Sequence, residues 1–163
     1  MLFRSSEYSG DRLTYLDAKG NYIKSIGGKG RGEGKFLGPQ FLAQDKNNNI
    51  FVSDFGNARI SVFTQDGDFL FYFGLKSKYF KGLQAPTGIA VHEDYVYVSD
   101  AVYGAIVVFD IAGNFIRFLT EEKVLENPEA LWYWKEHLIL ADTHTVKAIS
   151  LNSGAISNLG NTG

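Results

Sequence analysis

Short apolar runs separated by polar turns follow one another along most of the chain. In the clearest stretch, the apolar runs cover residues 41–43, 50–52, 60–63 and 69–73, and polar segments lie between them. An Asp-Gly pair ending at Gly67 is typical of a tight hairpin turn, because glycine accepts the positive φ that such turns need. No window shows the 3.6-residue apolar spacing of an amphipathic helix. The pattern predicts four short antiparallel strands in up-and-down order.

The same pattern recurs along the chain. Three apolar runs end in aspartate, and these aspartates are 46 residues apart (54 to 100) and 42 residues apart (100 to 142). A proline precedes each run, at 39, 86 and 128, and a glycine follows each one, at 67, 113 and 154. A four-stranded sheet with apolar central strands must be covered on both faces, and radial stacking of such sheets provides this cover. The predicted fold class is all-β, a β-propeller of four-stranded antiparallel blades.

Residues 27–39, GGKGRGEGKFLGP, and residues 50–60, IFVSDFGNARI, closely resemble the NHL repeat. This resemblance implies a six-bladed propeller family, of which the chain would supply an incomplete ring of about three and a half blades. The blades would be a half blade at 1–27 and full blades at 28–74, 75–120 and 121–163, in one partial propeller domain. NHL propellers include enzymes, RNA binders and protein scaffolds, so the resemblance does not decide the activity.

The first segment is the unusual one. Residues 12–27 align with 59–74, the two outer strands of a blade, and only eleven residues precede them. We therefore expect the chain to be a segment of a longer propeller. An open arc would leave unpaired strand edges and uncovered blade faces, which favour self-association.

Composition narrows the possible partners. The 163 residues are 45% apolar and 15% aromatic, as in a folded domain, and the formal charge is −2 with a pI near 5.9. This charge gives no general attraction to nucleic acid or to an anionic membrane. No cysteine is present, which excludes disulfides, thiolate metal sites and a cysteine nucleophile. No apolar run approaches the roughly 20 residues of a membrane span, and the first residues do not resemble a signal peptide. We expect a soluble chain with no membrane partner, whose localisation stays unknown.

Up-and-down connectivity places the loops 28–38, 75–85 and 121–127 on one rim, here called the upper rim, with the turns after each second strand. Aromatic and arginine side chains anchor protein interfaces, and lysines beside aromatic residues also suit single-stranded RNA. A solvated charged rim with its aromatic residues folded back is the alternative. The predicted binding residues of the upper rim are Phe55, Asn57, Arg59, Lys78, Tyr79, Tyr103 and His144.

Several conspicuous side chains have structural interpretations. Asp54, Asp100 and Asp142 are predicted to cap turns by accepting backbone N–H bonds, and Asn57 and Arg59 are also expected in the first of these networks. Trp132 and Trp134 are expected to pack in the core.

No catalytic residue, metal site or cofactor is predicted within the chain. The glycine-rich segment 27–34 does not have the spacing of a phosphate-binding loop. One branch of the resembling family, the amidating lyases, holds zinc by histidines, which must approach the metal to about 2.0–2.1 Å. Here His92 and His137 fall on the lower rim and His144 on the upper rim, so they do not converge.

The leading hypothesis is a non-catalytic propeller segment that binds a protein or peptide through the upper rim. Single-stranded RNA is the second possible partner. A third hypothesis makes the chain part of a metal-dependent lyase or lactonase whose site lies in blades outside it.

Overall fold

Four antiparallel sheets account for residues 3–160, the part of the chain that this computed structural model describes. In each sheet the strands are hydrogen-bonded in chain order, as an up-and-down meander. Blade 1 contains β1 (Phe3–Glu7), β2 (Arg12–Leu16) and β3 (Tyr22–Gly27). Blade 2 contains β4 (Pro39–Gln44), β5 (Ile50–Asp54), β6 (Arg59–Phe63) and β7 (Phe69–Phe73). Blade 3 contains β8 (Pro86–His92), β9 (Tyr95–Asp100), β10 (Ala105–Asp110) and β11 (Phe115–Phe118), and blade 4 contains β12 (Pro128–Trp134), β13 (His137–Asp142), β14 (Thr145–Ser150) and β15 (Ile156–Asn158).

The sheets stack face to face around a common axis. The inner strands of blades 2, 3 and 4, which are β4, β8 and β12, contact one another in that order, and β1 of blade 1 contacts β4. Three apolar clusters fill the spaces between blades, and each takes its side chains from two neighbouring sheets. Between blades 2 and 3, for example, Phe51 and Ile60 pack in one cluster with Val98. Apolar burial between sheets is the main stabilising term of this arrangement, which is that of a β-propeller.

The repeated proline and aspartate have one structural explanation. Pro39 pairs with Asp54, Pro86 with Asp100 and Pro128 with Asp142, so each inner strand begins opposite the end of the second strand. Proline is tolerated at the first residue of a strand because its missing N–H breaks no ladder bond there. In blades 2, 3 and 4 the strand register then shifts over the next three residues.

At this irregularity, blades 3 and 4 approach each other closely. A Cβ atom on Gly88 would lie 1.8 Å from the backbone oxygen of Glu129, so only glycine fits. Two side-chain hydrogen bonds cross the same interface: the Thr87 hydroxyl donates to Pro128 O (2.6 Å) and the Ser99 hydroxyl to Glu129 O (2.8 Å).

Two expectations are wrong in detail. Blade 1 has three strands instead of two, because Phe3–Glu7 pairs with β2. The strand Phe3–Glu7 occupies the position that β5, the second strand, has in blade 2. Glu7 lies opposite Arg12 in the same way as Asp54 lies opposite Arg59. The second error concerns Trp132 and Trp134, which are exposed on blade 4 and do not belong to the core.

The one helical element among residues 3–160 is the 3-10 turn Phe55–Asn57. None of the described residues forms a helix with the length and hydropathy needed to cross a bilayer.

Candidate binding rim

The three repeated aspartates join each inter-blade loop to the end of a second strand. Asp54 accepts a hydrogen bond from Leu37 N (2.8 Å), and Asp142 accepts one from Asn127 N (2.7 Å). Asp100 accepts four backbone N–H bonds and has no cationic partner among residues 3–160; its donors are Gln84, Ala85, Val102 and Tyr103. All three carboxylates are buried, so these bonds are needed to compensate for lost hydration. Each aspartate thus fixes the loop that leads into its own blade.

The pKa values of two of these carboxylates are shifted in opposite directions. Burial raises the pKa of Asp54, and hydrogen bonds from Leu37, Asn57 and Arg59 offset only part of this. Burial also acts on Asp142, but hydrogen bonds from Lys147 and from two backbone N–H groups outweigh it and lower its pKa. The difference follows from depth, since Asp54 and its cationic partner are less accessible than the second pair.

Arg59 is a loop brace and is not available to a partner. Its side chain is 4% exposed; Nε donates to Asp54 (3.0 Å), and Nη1 and Nη2 donate to three carbonyl oxygens of the loop 28–38. These carbonyls belong to Arg31, Gly32 and Lys35, at 2.9, 3.0 and 2.9 Å. The glycine-rich loop therefore turns its oxygens toward a cation, the opposite of what a phosphate-binding loop requires. The predicted binding role of Arg59 is corrected accordingly.

Asn57 contributes to the same brace. Its amide nitrogen donates to Gly30 O (2.9 Å) and to Asp54 Oδ2 (2.8 Å), so it holds the loop from a second direction. Phe55, in the same turn, is half-buried, with its ring 6.5 Å from that of Tyr8. Of these two predicted binding residues, Asn57 uses its amide nitrogen in the brace, whereas Phe55 keeps part of its ring exposed at the rim.

Tyr103 has the corresponding bracing role in blade 3. Its ring is 7% exposed and packs against Phe80 and Phe118, and its hydroxyl donates to Gly82 O (2.8 Å). Burial raises the pKa of this hydroxyl, and the Asp100 carboxylate adds to the effect. Tyr103 was predicted to contact a partner, and its burial corrects that prediction.

Lys78 and Tyr79 are presented outward. Tyr79 is 78% exposed, and the ammonium of Lys78 lies 5.1 Å from the centre of its ring, a cation–π contact. The next residue, Phe80, is buried and stacks on Phe115 with ring centres 4.6 Å apart and planes 4° apart. The exposed pair is therefore held by a packed aromatic neighbour. His144 is also exposed, in the turn that follows β13.

Sequence reasoning missed three exposed apolar side chains of the upper rim. Leu75, Val102 and Val124 are exposed, and each lies in an inter-blade loop or a turn of the upper rim. Backbone hydrogen bonds link the segments that carry Val102 and Val124: Lys123 N donates to Tyr103 O (2.8 Å) and Leu125 N to Gly104 O (3.0 Å). The sequence could have indicated these three residues, because each is an apolar residue within a loop or turn.

Charge divides the rim into two sectors. The loops 28–38 and 75–85 expose six cations, namely Lys29, Arg31, Lys35, Lys76, Lys78 and Lys81, with one carboxylate, Glu33. The loop 121–127 exposes Glu121, Glu122 and Glu126 with Lys123. This separation gives the rim a direction for electrostatic steering.

The three histidines lie in different environments. His92 stacks on Tyr133 with ring centres 3.5 Å apart, and Nδ1 of His137 lies 2.8 Å from Lys135 O. Both are on the lower rim, far along the strands from His144. Over residues 3–160 no group of three or more histidine, aspartate or glutamate side chains is arranged to hold a metal ion.

Parts of this sequence are similar to known proteins. Residues 36–63 match the NHL repeat. This match extends over 28 of the 163 residues. The repeat covers β4 to β6 of blade 2, including the Asp54, Asn57 and Arg59 brace, and the resemblance seen in the sequence is confirmed. A curated relative, the protein brain tumor of Drosophila melanogaster, is 32% identical over 88 residues. That alignment covers 52% of this chain and 8% of the relative, so the chain spans a small part of the relative's length.

Solved structures confirm the β-propeller fold. A virginiamycin B lyase from Staphylococcus aureus superposes with a TM-score of 0.73 at 16% identity, over 99% of this chain and 52% of that one. A streptogramin B lyase gives 0.75 at 16% identity with the same coverage. A structure of U3-55K gives 0.74 at 14% identity, over 97% of this chain and 48% of that one. At this identity the likeness concerns the fold alone, and the chain spans about half of each structure.

Proposed function

We propose that the NHL-containing chain is a non-catalytic binding module whose upper rim takes a protein or peptide partner. The observation that carries this proposal is the Lys78–Tyr79 pair, a highly exposed aromatic ring on a loop whose next residue is locked into the core. NHL-repeat propellers include many binding domains, which supports the same function.

The rigidity of the loop 75–85 is important for affinity. Leu83 N donates to Gly74 O (2.7 Å) and Ser77 N to Phe80 O (2.8 Å), so the loop is closed at its base and at its tip. The Tyr103 hydroxyl adds a third attachment at Gly82. A side chain on a preorganised loop loses little conformational entropy when it binds, so more of the contact energy contributes to affinity.

The side chains indicate the chemistry of the partner. An exposed tyrosine with Leu75 nearby along the loop favours an apolar or aromatic anchor on the partner. The neighbouring Lys76, Lys78 and Lys81 favour carboxylates beside that anchor. We therefore propose an acidic peptide segment that contains a bulky apolar residue.

A random-peptide display library selected on the purified chain would test this proposal. Selected peptides should carry acidic and apolar residues together, and Tyr79→Ala should weaken their binding at least about tenfold in calorimetry. Tyr22→Ala is the matched control, because Tyr22 is an exposed tyrosine of blade 1 outside the upper-rim loops. Equal affinity of the Tyr79→Ala variant and the unmodified chain would contradict the proposal.

Single-stranded RNA is the second candidate, and the six exposed cations of the loops 28–38 and 75–85 favour it. Binding of oligouridylate, followed by fluorescence anisotropy, should then weaken steeply with salt because neutralised phosphates release counterions. Affinity that is independent of salt, or no binding at low salt, would eliminate this candidate.

A further inference from the structure

A cavity of about 320 Å³ lies between blades 3 and 4, on the lower rim. Its lining comes from strands β9 to β11 of blade 3 and from the turns β8–β9, β12–β13 and β14–β15. Both walls are blades of this chain, and the cavity is on the face that blade 4 turns toward blade 3. Its volume is at the lower end of the range for small-molecule sites.

Tyr97 is the one buried residue with a polar side chain among those that line the cavity. It is 7% exposed, and its hydroxyl makes no hydrogen bond to any group of residues 3–160. The charged groups that act on this hydroxyl include Arg117, Glu136 and Glu93, which line the same cavity. Burial raises the pKa of Tyr97, so the hydroxyl stays protonated at neutral pH and can donate. Since a buried hydroxyl without a partner is costly, its presence here needs a reason.

Comparison of the blades shows that this polarity is not needed for packing. Directly opposed residues of a sheet share a face. One such row of blade 3 faces blade 4 and consists of Ala90, Tyr97, Val108 and Arg117. The same row of blade 2 faces blade 3 and consists of Ala43, Phe51, Val62 and Phe71. Blade 3 therefore carries a hydroxyl and a guanidinium where blade 2 uses two phenyl rings in an apolar cluster.

The charged side chains around the hydroxyl are held in place from both blades. Arg117 Nη2 donates to Leu151 O (3.3 Å), and among residues 3–160 its other N–H groups have no hydrogen-bond partner. Leu151 N donates in turn to Glu136 O (3.0 Å), which joins the two blade 4 turns. The Glu136 carboxylate accepts a hydrogen bond from the Tyr133 hydroxyl (2.9 Å), and the Tyr133 ring stacks on His92.

These groups suit a ligand that carries both charges. A guanidinium binds a carboxylate through paired hydrogen bonds, and the Tyr97 hydroxyl can donate to the same carboxylate. Glu93 and Glu136 attract an ammonium group and repel a phosphate or a second carboxylate. Apolar lining such as Val108, which is buried, leaves room for an apolar side chain on the ligand.

We propose that this cavity binds a small zwitterion of the amino-acid class with an apolar side chain. Arg117 and Tyr97 hold its carboxylate, Glu136 and Glu93 hold its ammonium group, and Val108 contacts its side chain. The site is separate from the loop 75–85, so it does not rest on the proposed peptide binding.

Leucine and phenylalanine are the probes, and two analogues of leucine each lack one charge: isoamylamine has no carboxylate, and isocaproate has no ammonium group. Titrations followed by two-dimensional NMR of the backbone amides would give the dissociation constants. Leucine should bind at least about tenfold more tightly than either analogue, because each analogue loses one set of charged partners. The shifted amides should include Glu93, Glu136 and Asn152, which line the cavity. Equal binding of leucine and one analogue, or no binding of either amino acid in the millimolar range, would overturn the proposal.

Tyr97→Phe removes only the hydroxyl, and phenylalanine is the residue that blade 2 has at this position. It should weaken leucine binding at least about fivefold through the lost hydrogen bond, and Arg117→Gln should weaken it at least about tenfold. Tyr22→Phe and Arg31→Gln are the matched controls, since both side chains are exposed outside the cavity, and they should leave the affinity unchanged. The thermal midpoint of Tyr97→Phe should be unchanged or higher. Unchanged affinity in either cavity variant would overturn the proposal, as would a lower midpoint for Tyr97→Phe, because the hydroxyl would then have a partner in the free protein.

Discussion

Replacing Arg59 by leucine should destabilise the chain strongly. The substitution removes the cationic partner of Asp54, whose carboxylate is 0% exposed, and three donors to carbonyl oxygens of the loop 28–38. The apolar stem of leucine can occupy part of the same space, so the effect comes mainly from unpaired polar groups. The loop 28–38 and the end of β5 lose the side chain that joins them.

The size of the effect follows from burial. Removing one partner of a buried ion pair costs about 3–5 kcal/mol, because the other charge is left without compensation. Since a chain of this length loses roughly 2–4 °C of thermal midpoint per kcal/mol, we expect a decrease of roughly 6–20 °C. Asp54 retains bonds from Leu37 N and Asn57, so the lower half of each range is the better expectation.

Arg12→Leu is a control provided by the repeat itself. Arg12 lies opposite Glu7 in blade 1 as Arg59 lies opposite Asp54 in blade 2, and the chemistry of the two pairs is the same. The Arg12 side chain is 50% exposed, and exposed ion pairs contribute little to stability. Its removal should leave the thermal midpoint almost unchanged.

Thermal denaturation followed by circular dichroism would measure the midpoints of both variants, and urea denaturation would measure their free energies of unfolding. The pH dependence gives a second test. Loss of Arg59 should raise the pKa of Asp54 further, because burial then acts without its main opposing charge. A group with a raised folded pKa favours the folded state increasingly as the pH falls through that pKa, so the deficit of Arg59→Leu should shrink from neutral pH toward the ordinary carboxyl pKa of about 4. Equal midpoints for Arg59→Leu and Arg12→Leu, or a deficit that grows on acidification, would refute this reasoning.

Two further substitutions test the repeat. Gly88→Ala should destabilise the chain by about 3 kcal/mol or more in urea denaturation, because the new Cβ would meet the backbone of Glu129. Gly32→Ala is the control and should have little effect, because the new Cβ has open space there. Similar losses of stability for both variants would contradict the close approach of blades 3 and 4. Lys147→Met should reduce the stability of blade 4 at neutral pH: the lowered pKa of Asp142 contributes stability that is present above the unfolded carboxyl pKa of about 3.9 and is lost as the pH falls through the folded value. The variant should therefore show a flatter acid limb in its pH–stability curve, and an unchanged limb would show that the pair contributes nothing.

The fold could be predicted from the sequence because its repeated residues have backbone functions. Each proline begins an inner strand opposite an aspartate, and each aspartate holds the loop before that proline, so a fixed spacing follows from the geometry. The strand Phe3–Glu7 could not be predicted in this way, because it is largely polar and has neither the apolar run nor the proline that marks the other strands. The exposure of Trp132 was also unpredictable, since it depends on whether another sheet covers blade 4.

The site was less predictable than the fold because side-chain direction is not encoded in residue type. Arg59 and Tyr103 were assigned to the upper rim, yet both turn inward to carbonyl oxygens of their own inter-blade loops. The carbonyl groups that bind Arg59 point inward because of the path of the glycine-rich loop 28–38. In this loop Gly30 and Gly34 have φ values of 155° and 69°. Sequence reasoning identified glycines there without indicating which way the peptide groups would face.

The contrast between the two arginine pairs explains which rim residues remain available. Arg59 is buried because the loop 28–38 folds over it, whereas Arg12 is half exposed at the same position of the repeat. A long inter-blade loop therefore uses the cation or hydroxyl nearest its base to satisfy its own carbonyl groups. We therefore expect a partner to contact side chains at the loop tip that the backbone does not need, which in the loop 75–85 include Lys78 and Tyr79. In this chain, substitutions at the tip of the loop 75–85 should consequently alter binding, while substitutions at the bracing positions Arg59 and Tyr103 should alter folding first.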